Sequence, residues 1–288
     1  MLRDDRSRVR PPAVAGRFYP GVADLLDALV KDLLASALPG PATSPKGVIA
    51  PHAGYVYSGP IAATAYASVR ARAAQIERVV LLGPAHRVYF EGLALPAADR
   101  FATPLGEVEI DSALVEAVLA LPQVIRSEQA HALEHSLEVH LPFLQQLLGE
   151  FTLLPVLVGD ASPASVAELL EQVWGGPETL LVLSSDLSHY LDYADARRLD
   201  QATAAWIASA RAPGLDPQRA CGARCIDGLI EYGRRRPLTL ELLDLRNSGD
   251  TAGPRDQVVG YGAFAIHESH HESQHESQHE SQHEGAHE

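Results

Sequence analysis

The sequence predicts an α/β fold, a single-domain αβα sandwich around a mainly parallel or mixed sheet. Three observations predict it. Apolar runs bounded by turn residues, at 48–50, 79–82, 151–158 and 179–184, have the length and composition of buried strands. Segments of helical period lie between them, the alternation that builds a sheet with crossover helices. The 288 residues, 46% of them apolar, suffice for one sizeable core, and no internal repeat divides the chain.

In chain order, residues 1–11 are rich in charge and run into Pro11-Pro12, which reads as a flexible lead-in to a domain over 12–266. Residues 24–38 form an amphipathic helix with Leu25, Leu26, Leu29, Val30, Leu33 and Leu34 on one face. A linker at 39–45 precedes the strand that ends at Pro51, and a helix begins near Ser58. After the strand ending at Gly83-Pro84, residues 93–96 and 108–110 read as short strands around a turn at Pro104-Leu105-Gly106. Ser112 is a helix N-cap. Pro142 argues against one continuous helix across 129–149 and for a loop that runs into a helix, or a kinked helix. The strand at 151–158 leads to Ser162 and Pro163, a cap and first residue of a helix. The strand at 179–184, a helix over 194–210, another through 226–232, and strands at 238–245 and 258–266 complete the domain. The repeat of His, Glu, Ser and Gln from His267 to Glu288 has almost no apolar content and reads as a disordered tail with weak capacity for metal.

Charge and composition narrow the function. The tail holds six of the 37 acidic residues and none of the 23 basic ones, so residues 1–266 carry a net charge of −8. An acidic surface argues against nucleic acid as a partner. Two cysteines exclude a disulfide scaffold and fit a reducing, cytoplasmic setting. No stretch has the length of a membrane span, and the Arg-rich start lacks the apolar core of a signal peptide.

Six of the 13 histidines lie outside the tail, and three of these share one context. His52 follows Val48-Ile49-Ala50-Pro51, His86 follows Leu81-Leu82-Gly83-Pro84-Ala85, and His189 follows Leu183-Ser184-Ser185-Asp186. Each stands past the end of an apolar strand, where open α/β sheets place their ligands. Neutral imidazoles suit zinc, iron, copper or nickel, so His52 and His86 read as a ligand pair. Glu138, Asp186 and Cys221 are candidates for a third ligand, with Cys225 as a competitor for Cys221. Asp186 and His189 form a candidate orienter and base. His135 and Glu138 are candidates for groups that hold the ligand imidazoles in place, while His131 and His140 read as structural. Tyr55 and Tyr57 are placed to line a pocket or pack.

These stretches resemble the Memo family, whose bacterial members are called AmmeMemoRadiSam system protein B. The resemblance rests on Pro12 to Pro20, Ala50-Pro-His52-Ala-Gly-Tyr55, Leu82-Gly-Pro-Ala-His86, Glu134-His-Ser-Leu-Glu-Val-His140, Pro155 to Gly159, Ser184-Ser-Asp186-Leu-Ser-His189 and Cys221-Gly222, in that order along the chain. It implies a fold similar to the catalytic subunit of class III extradiol dioxygenases, with a non-haem metal site. By position it implies His52, His86 and Cys221 as metal ligands, and Asp186 and His189 as catalytic pocket residues. Cys221 stands where those dioxygenases have a carboxylate. Iron(II) is the expected metal, then copper, then zinc. The implied activity is that of a metal-dependent, dioxygenase-like oxidoreductase acting on a small molecule. A non-catalytic binding or signalling module and a hydrolase with a Cys221 nucleophile are the alternatives. An AMMECR1-like protein and a radical SAM enzyme are the partners the resemblance implies.

Overall fold

The computed structural model describes residues 8–269. Twelve strands make one mixed sheet: β1 (Val9–Arg10), β2 (Gly47–Ala50), β3 (Arg78–Pro84), β4 (Leu93–Leu95), β5 (Arg100–Thr103), β6 (Gly106–Ile110), β7 (Val124–Arg126), β8 (Thr152–Val158), β9 (Thr179–Ser184), β10 (Asp186–Leu191), β11 (Leu238–Asn247) and β12 (Val258–Glu268). Eight helices accompany them: α1 (Ala23–Ala35), α2 (Tyr55–Ala67), α3 (Ser112–Val118), α4 (Glu128–Ala132), α5 (Leu141–Leu148), α6 (Pro163–Val173), α7 (Tyr193–Ser209) and α8 (Ala223–Gly233). None of these described helices is long and apolar enough to cross a membrane.

The middle of the sheet is parallel, in the order β8-β3-β9-β2. Those strands are almost wholly buried, as continuous Val, Leu and Ile runs covered on both faces should be. β12 then pairs antiparallel with β2, β10 and β11, which closes that side as an antiparallel unit. The expected α/β sandwich with a mixed sheet is therefore present.

Differences lie at edges, where packing partners decide what local pattern does not. Arg10, inside the expected lead-in, is buried, because β1 pairs parallel with β5 and its side chain enters the core. At the other end β12 runs past Ile266, with His267 and Glu268 opposite Thr239 and Leu238. Trp174 Nε1 donates to Glu268 Oε1 at 2.6 Å, which fixes that end. The rest of the expected tail, 270–288, and residues 1–7 of the lead-in lie outside the described residues.

Helix α1 stops at Ala35, short of Leu38, whose successor Pro39 disfavours helical backbone before it. Leu25 faces solvent, while Leu26, Val30 and Leu34 make the buried stripe. Helix α2 begins at Tyr55, three residues before Ser58, and contains Pro60. Asp111, not Ser112, caps α3, its carboxylate accepting from the Leu114 N–H. Strand β5 was not expected, and neither was β10, in which apolar and polar residues mix and two register shifts interrupt the pairing with β12.

Candidate metal centre

Because β9 lies between β3 and β2, the carboxyl ends of all three are neighbours, with Ser184 opposite Ala50 and Leu183 opposite Leu82. Pro51 ends one ladder and His52 follows; Gly83-Pro84 ends the next and His86 follows two residues on. His135 arrives from the connection between α4 and α5. That connection lies on Gly83, where a Cβ would come within 2.7 Å of Leu137 and 3.2 Å of Ser184, so only glycine allows the approach.

The three imidazoles form one cluster. Ring centroids are 5.1 Å apart for His52 and His86, 5.6 Å for His52 and His135, and 4.9 Å for His86 and His135. One ligand atom from each lies within 4.8 Å of the others, and among the described residues this is the set of His, Cys, Asp or Glu side chains close enough to share an ion.

Each ring is held from behind. His86 Nδ1 is 2.9 Å from Glu134 Oε1, and the His86 backbone N–H donates to Glu134 Oε2 at 2.6 Å. An ionised carboxylate only accepts, so Nδ1 carries a proton, and the neutral form of the ring has its lone pair on Nε2. Glu134 Oε1 also accepts from the His135 and Ser136 N–H groups at 2.9 and 3.0 Å. Burial alone would raise this carboxyl, but the His86 ring and the backbone donors outweigh it and hold it at about 2. The His135 ring meets Phe18 edge-on at 4.8 Å, and its buried Nδ1 lies 3.3 Å from Glu134 Oε1 without the geometry of a hydrogen bond.

His52 is fully buried, with Nδ1 2.5 Å from Ser184 Oγ. Its Nε2 is 3.3 Å from Cys221 Sγ and 3.9 Å from Asp186 Oδ2. Burial, then the neighbouring imidazoles, push His52 well below the usual histidine range; burial takes His135 down to about 4. These two rings therefore resist protonation and keep their lone pairs. Two imidazoles held neutral by burial, a third with its Nδ1 turned to Glu134, and the acidic groups beside them fit a transition-metal ion.

Cys221 borders this set through His52 rather than joining it. Its sulfur is tied to β10, accepting from the Asp186 N–H at 3.2 Å, and Gly222 leaves no room to shift, since a Cβ there would lie 2.4 Å from the Ser184 carbonyl oxygen. Burial and then Asp186 push the thiol well above the usual cysteine range. Cys225 is buried in the first turn of α8.

Asp186 does not orient His189. Its Oδ1 accepts from the His52 backbone N–H at 2.8 Å, and among the described residues it makes no hydrogen bond to the His189 ring. His189 sits instead on the exposed second half of β10, opposite Val259. Tyr261 is the cross-strand partner of Asp186, so both side chains leave the sheet on one face. Burial pushes the Asp186 carboxyl up to about 7, so the folded chain holds a proton that the unfolded chain has lost above its ordinary value of 3.8. The stability this contributes is full below about 3.8 and is lost as pH rises through about 7. Asp186→Asn still accepts from His52 and has no proton to lose. Urea unfolding of metal-free protein should show the variant gaining on the wild type by a few kcal/mol between pH 4 and pH 8; a gap independent of pH would refute this.

Glu138 is not a partner of the ligand rings. Its carboxylate is taken by Arg10 Nη1 at 2.8 Å, the Ala13 and Val14 N–H groups at 2.7 and 3.0 Å, and the Tyr19 hydroxyl at 2.6 Å. Glu134, which takes that part, is missing from the expected site residues, as are Ser184 and His140. The available signal was that a ligand imidazole needs an acceptor for its second nitrogen, and Glu134 adjoins His135. His131 is structural as expected, with Nε2 2.9 Å from the Ala94 carbonyl. Tyr55 is buried with its hydroxyl on the Val139 carbonyl, while Tyr57 is partly exposed.

The fold and cluster together define an α/β protein with a three-imidazole site, capable of holding a metal, at the carboxyl edge of its parallel strands. A sequence-family model described as Memo-like protein matches residues 10–265. The chain belongs to the Memo-like family. The MEMO1 family protein of Aquifex aeolicus (strain VF5) is 37% identical over 265 residues, covering 88% of this chain and 97% of that protein. The MEMO1 family proteins of Archaeoglobus fulgidus and Thermotoga maritima are 35% and 34% identical, each again covering 88% of this chain and 97% of the relative.

Proposed function

We propose that this protein is a metal-dependent oxidoreductase acting on a small molecule in the cytoplasm, with its metal held by His52, His86 and His135 and the Cys221 thiol alongside. Iron(II) is the metal we favour, ahead of copper and then zinc. The observation that carries the reading is the convergence of three imidazoles from three separate segments, one of them with its Nδ1 committed to a carboxylate behind it. A bound iron or copper ion would supply one-electron chemistry and open coordination positions. The chain's own contribution is proton handling and orientation. Asp186, which titrates near neutrality, can hold or release a proton 3.9 Å from the His52 ring. His189 faces solvent and can exchange protons with it.

The missing hydrogen bond between Asp186 and His189 favours a second reading, a binding module without turnover. A hydrolase with Cys221 as nucleophile finds no support, because reactivity needs a thiolate and this thiol is held protonated by burial and a carboxylate neighbour. Metal content and oxygen uptake of the anaerobically purified full chain test the proposal against a His52→Ala, His86→Ala double variant. Histidines beyond residue 269 are common to both proteins and cancel in the difference. One equivalent of metal should disappear in the double variant, together with oxygen uptake in the presence of Fe(II) and a reductant. Equal occupancy in both would overturn the metal site; equal uptake with unequal occupancy would leave the binding module.

A further inference from the structure

We infer that Ser184, backed by His140 and Tyr66, is the positioning group that fixes His52 with its proton on Nδ1 and so presents a bare Nε2 to the histidine cluster. This rests on the reading of the cluster as a metal site. It follows from counting protons in one sealed chain of hydrogen bonds.

Ser184 Oγ has three neighbours at hydrogen-bond distance: the Ser136 carbonyl at 2.6 Å, His52 Nδ1 at 2.5 Å and His140 Nε2 at 2.8 Å. At its far end His140 Nδ1 is 2.8 Å from the Tyr66 hydroxyl. Ser184 and Tyr66 are 0% exposed, His140 1% and His52 2%, so water cannot substitute for a missing partner. A carbonyl has no proton to give, and serine has one. That proton must go to Ser136, because otherwise two oxygen lone pairs would oppose each other at 2.6 Å. Both imidazoles must then donate to the serine oxygen, which has two lone pairs to receive them.

His52 is therefore protonated on Nδ1. His140 is protonated on Nε2, so its Nδ1 is an acceptor and the Tyr66 hydroxyl is its donor. Burial, which takes His140 down to about 3, agrees with a neutral ring. Turning any one member over leaves a buried donor facing a donor, or an acceptor facing an acceptor. The other face of His52 points Nε2 at Cys221 Sγ, 3.3 Å away, and at the cluster. His52 thus receives from a neutral relay the same service that His86 receives from the Glu134 carboxylate.

Histidine tautomers are read directly from long-range nitrogen–proton couplings in the metal-free, 15N-histidine-labelled full chain. The expected wild-type spectrum shows His52 protonated on Nδ1 and His140 on Nε2. A wild-type His52 protonated on Nε2 overturns the inference without any variant. Ser184→Ala should shift His52 toward a mixture of tautomers and weaken zinc(II) binding, measured by chelator competition, by about 10–100-fold. Ser184→Thr keeps the hydroxyl and should keep both readouts. Zinc affinity and the His52 tautomer both unchanged in Ser184→Ala would also overturn it. Should the wild type bind zinc no better than the His52→Ala, His86→Ala variant, the proposed metal function fails, while the tautomer measurement still decides the relay.

Discussion

Arg10→Ala should destabilise the protein by roughly 3–5 kcal/mol, the range for removing one member of a buried ion pair. Arg10 is 6% exposed and Glu138 is 0% exposed, so neither charge is hydrated. The guanidinium makes three hydrogen bonds: Nη1 to Glu138 Oε2 at 2.8 Å, Nε to the His131 carbonyl at 2.8 Å and Nη2 to the Glu134 carbonyl at 2.5 Å. It also lies 4.8 Å above the Phe101 ring. Removal strands two carbonyls and leaves Glu138 a buried anion with neutral donors only. Those donors include the Tyr19 hydroxyl, whose own ionisation is pushed far up by burial and by Glu138. Because Arg10 grips the chain on both sides of His135, metal affinity should fall along with stability. Denaturant unfolding of Arg10→Ala, Glu138→Gln and the double variant would check this. The double variant should cost less than the two single losses added together, since removing both charges leaves none unpaired. A loss below about 1 kcal/mol for Arg10→Ala would mean the pair is not the anchor described here.

That anchor also shows where the sequence was readable and where it was not. His52 and His86 were legible because each follows an apolar run broken by proline, and parallel strands must bring their carboxyl ends to one edge. β1 is not legible because Val9 and Arg10 sit among charged and proline residues; nothing local reveals that Arg10 has a partner 128 positions away. The motif that holds His135 and Glu138 is legible, but not that His135 lies with His52 and His86 while Glu138 turns to Arg10 and Tyr19. Glu134 and Glu138 are four residues apart, both buried, and composition cannot tell which faces the strand ends and which faces β1. Strand β10 was missed because its buried Leu187 and Ser188 alternate with nothing regular, and its pairing with β12 depends on bulges that tertiary packing imposes. The Cys221 thiol lies 3.3 Å from His52 Nε2, and a backbone N–H of β10, invisible in one dimension, holds it there.

Glu134→Gln should be the most damaging conservative change near the site. Glu134 accepts four hydrogen bonds, from the His86 ring and backbone and from the His135 and Ser136 backbone N–H groups. A glutamine offers one acceptor oxygen and turns an NH2 group toward donors. The His86 ring then loses its anionic partner and its fixed tautomer, which should weaken metal binding by about 10–100-fold. Stability should fall as well, with a defined pH dependence. The carboxyl sits at about 2 in the folded chain against an ordinary value of 4.5. A depressed carboxyl contributes stability that is complete above its unfolded value, and this one is worth on the order of 3 kcal/mol at neutral pH. As pH falls from about 4.5 toward about 2 that contribution disappears, because the folded carboxylate must finally take up the proton that the unfolded chain already holds. Wild type and Glu134→Gln should therefore differ most in urea unfolding at pH 7, and the gap should narrow steadily as pH falls from about 4.5 toward about 2. A gap that stayed constant over that interval would show that the variant fails through lost shape alone, and that the carboxylate charge does not hold His86 in place.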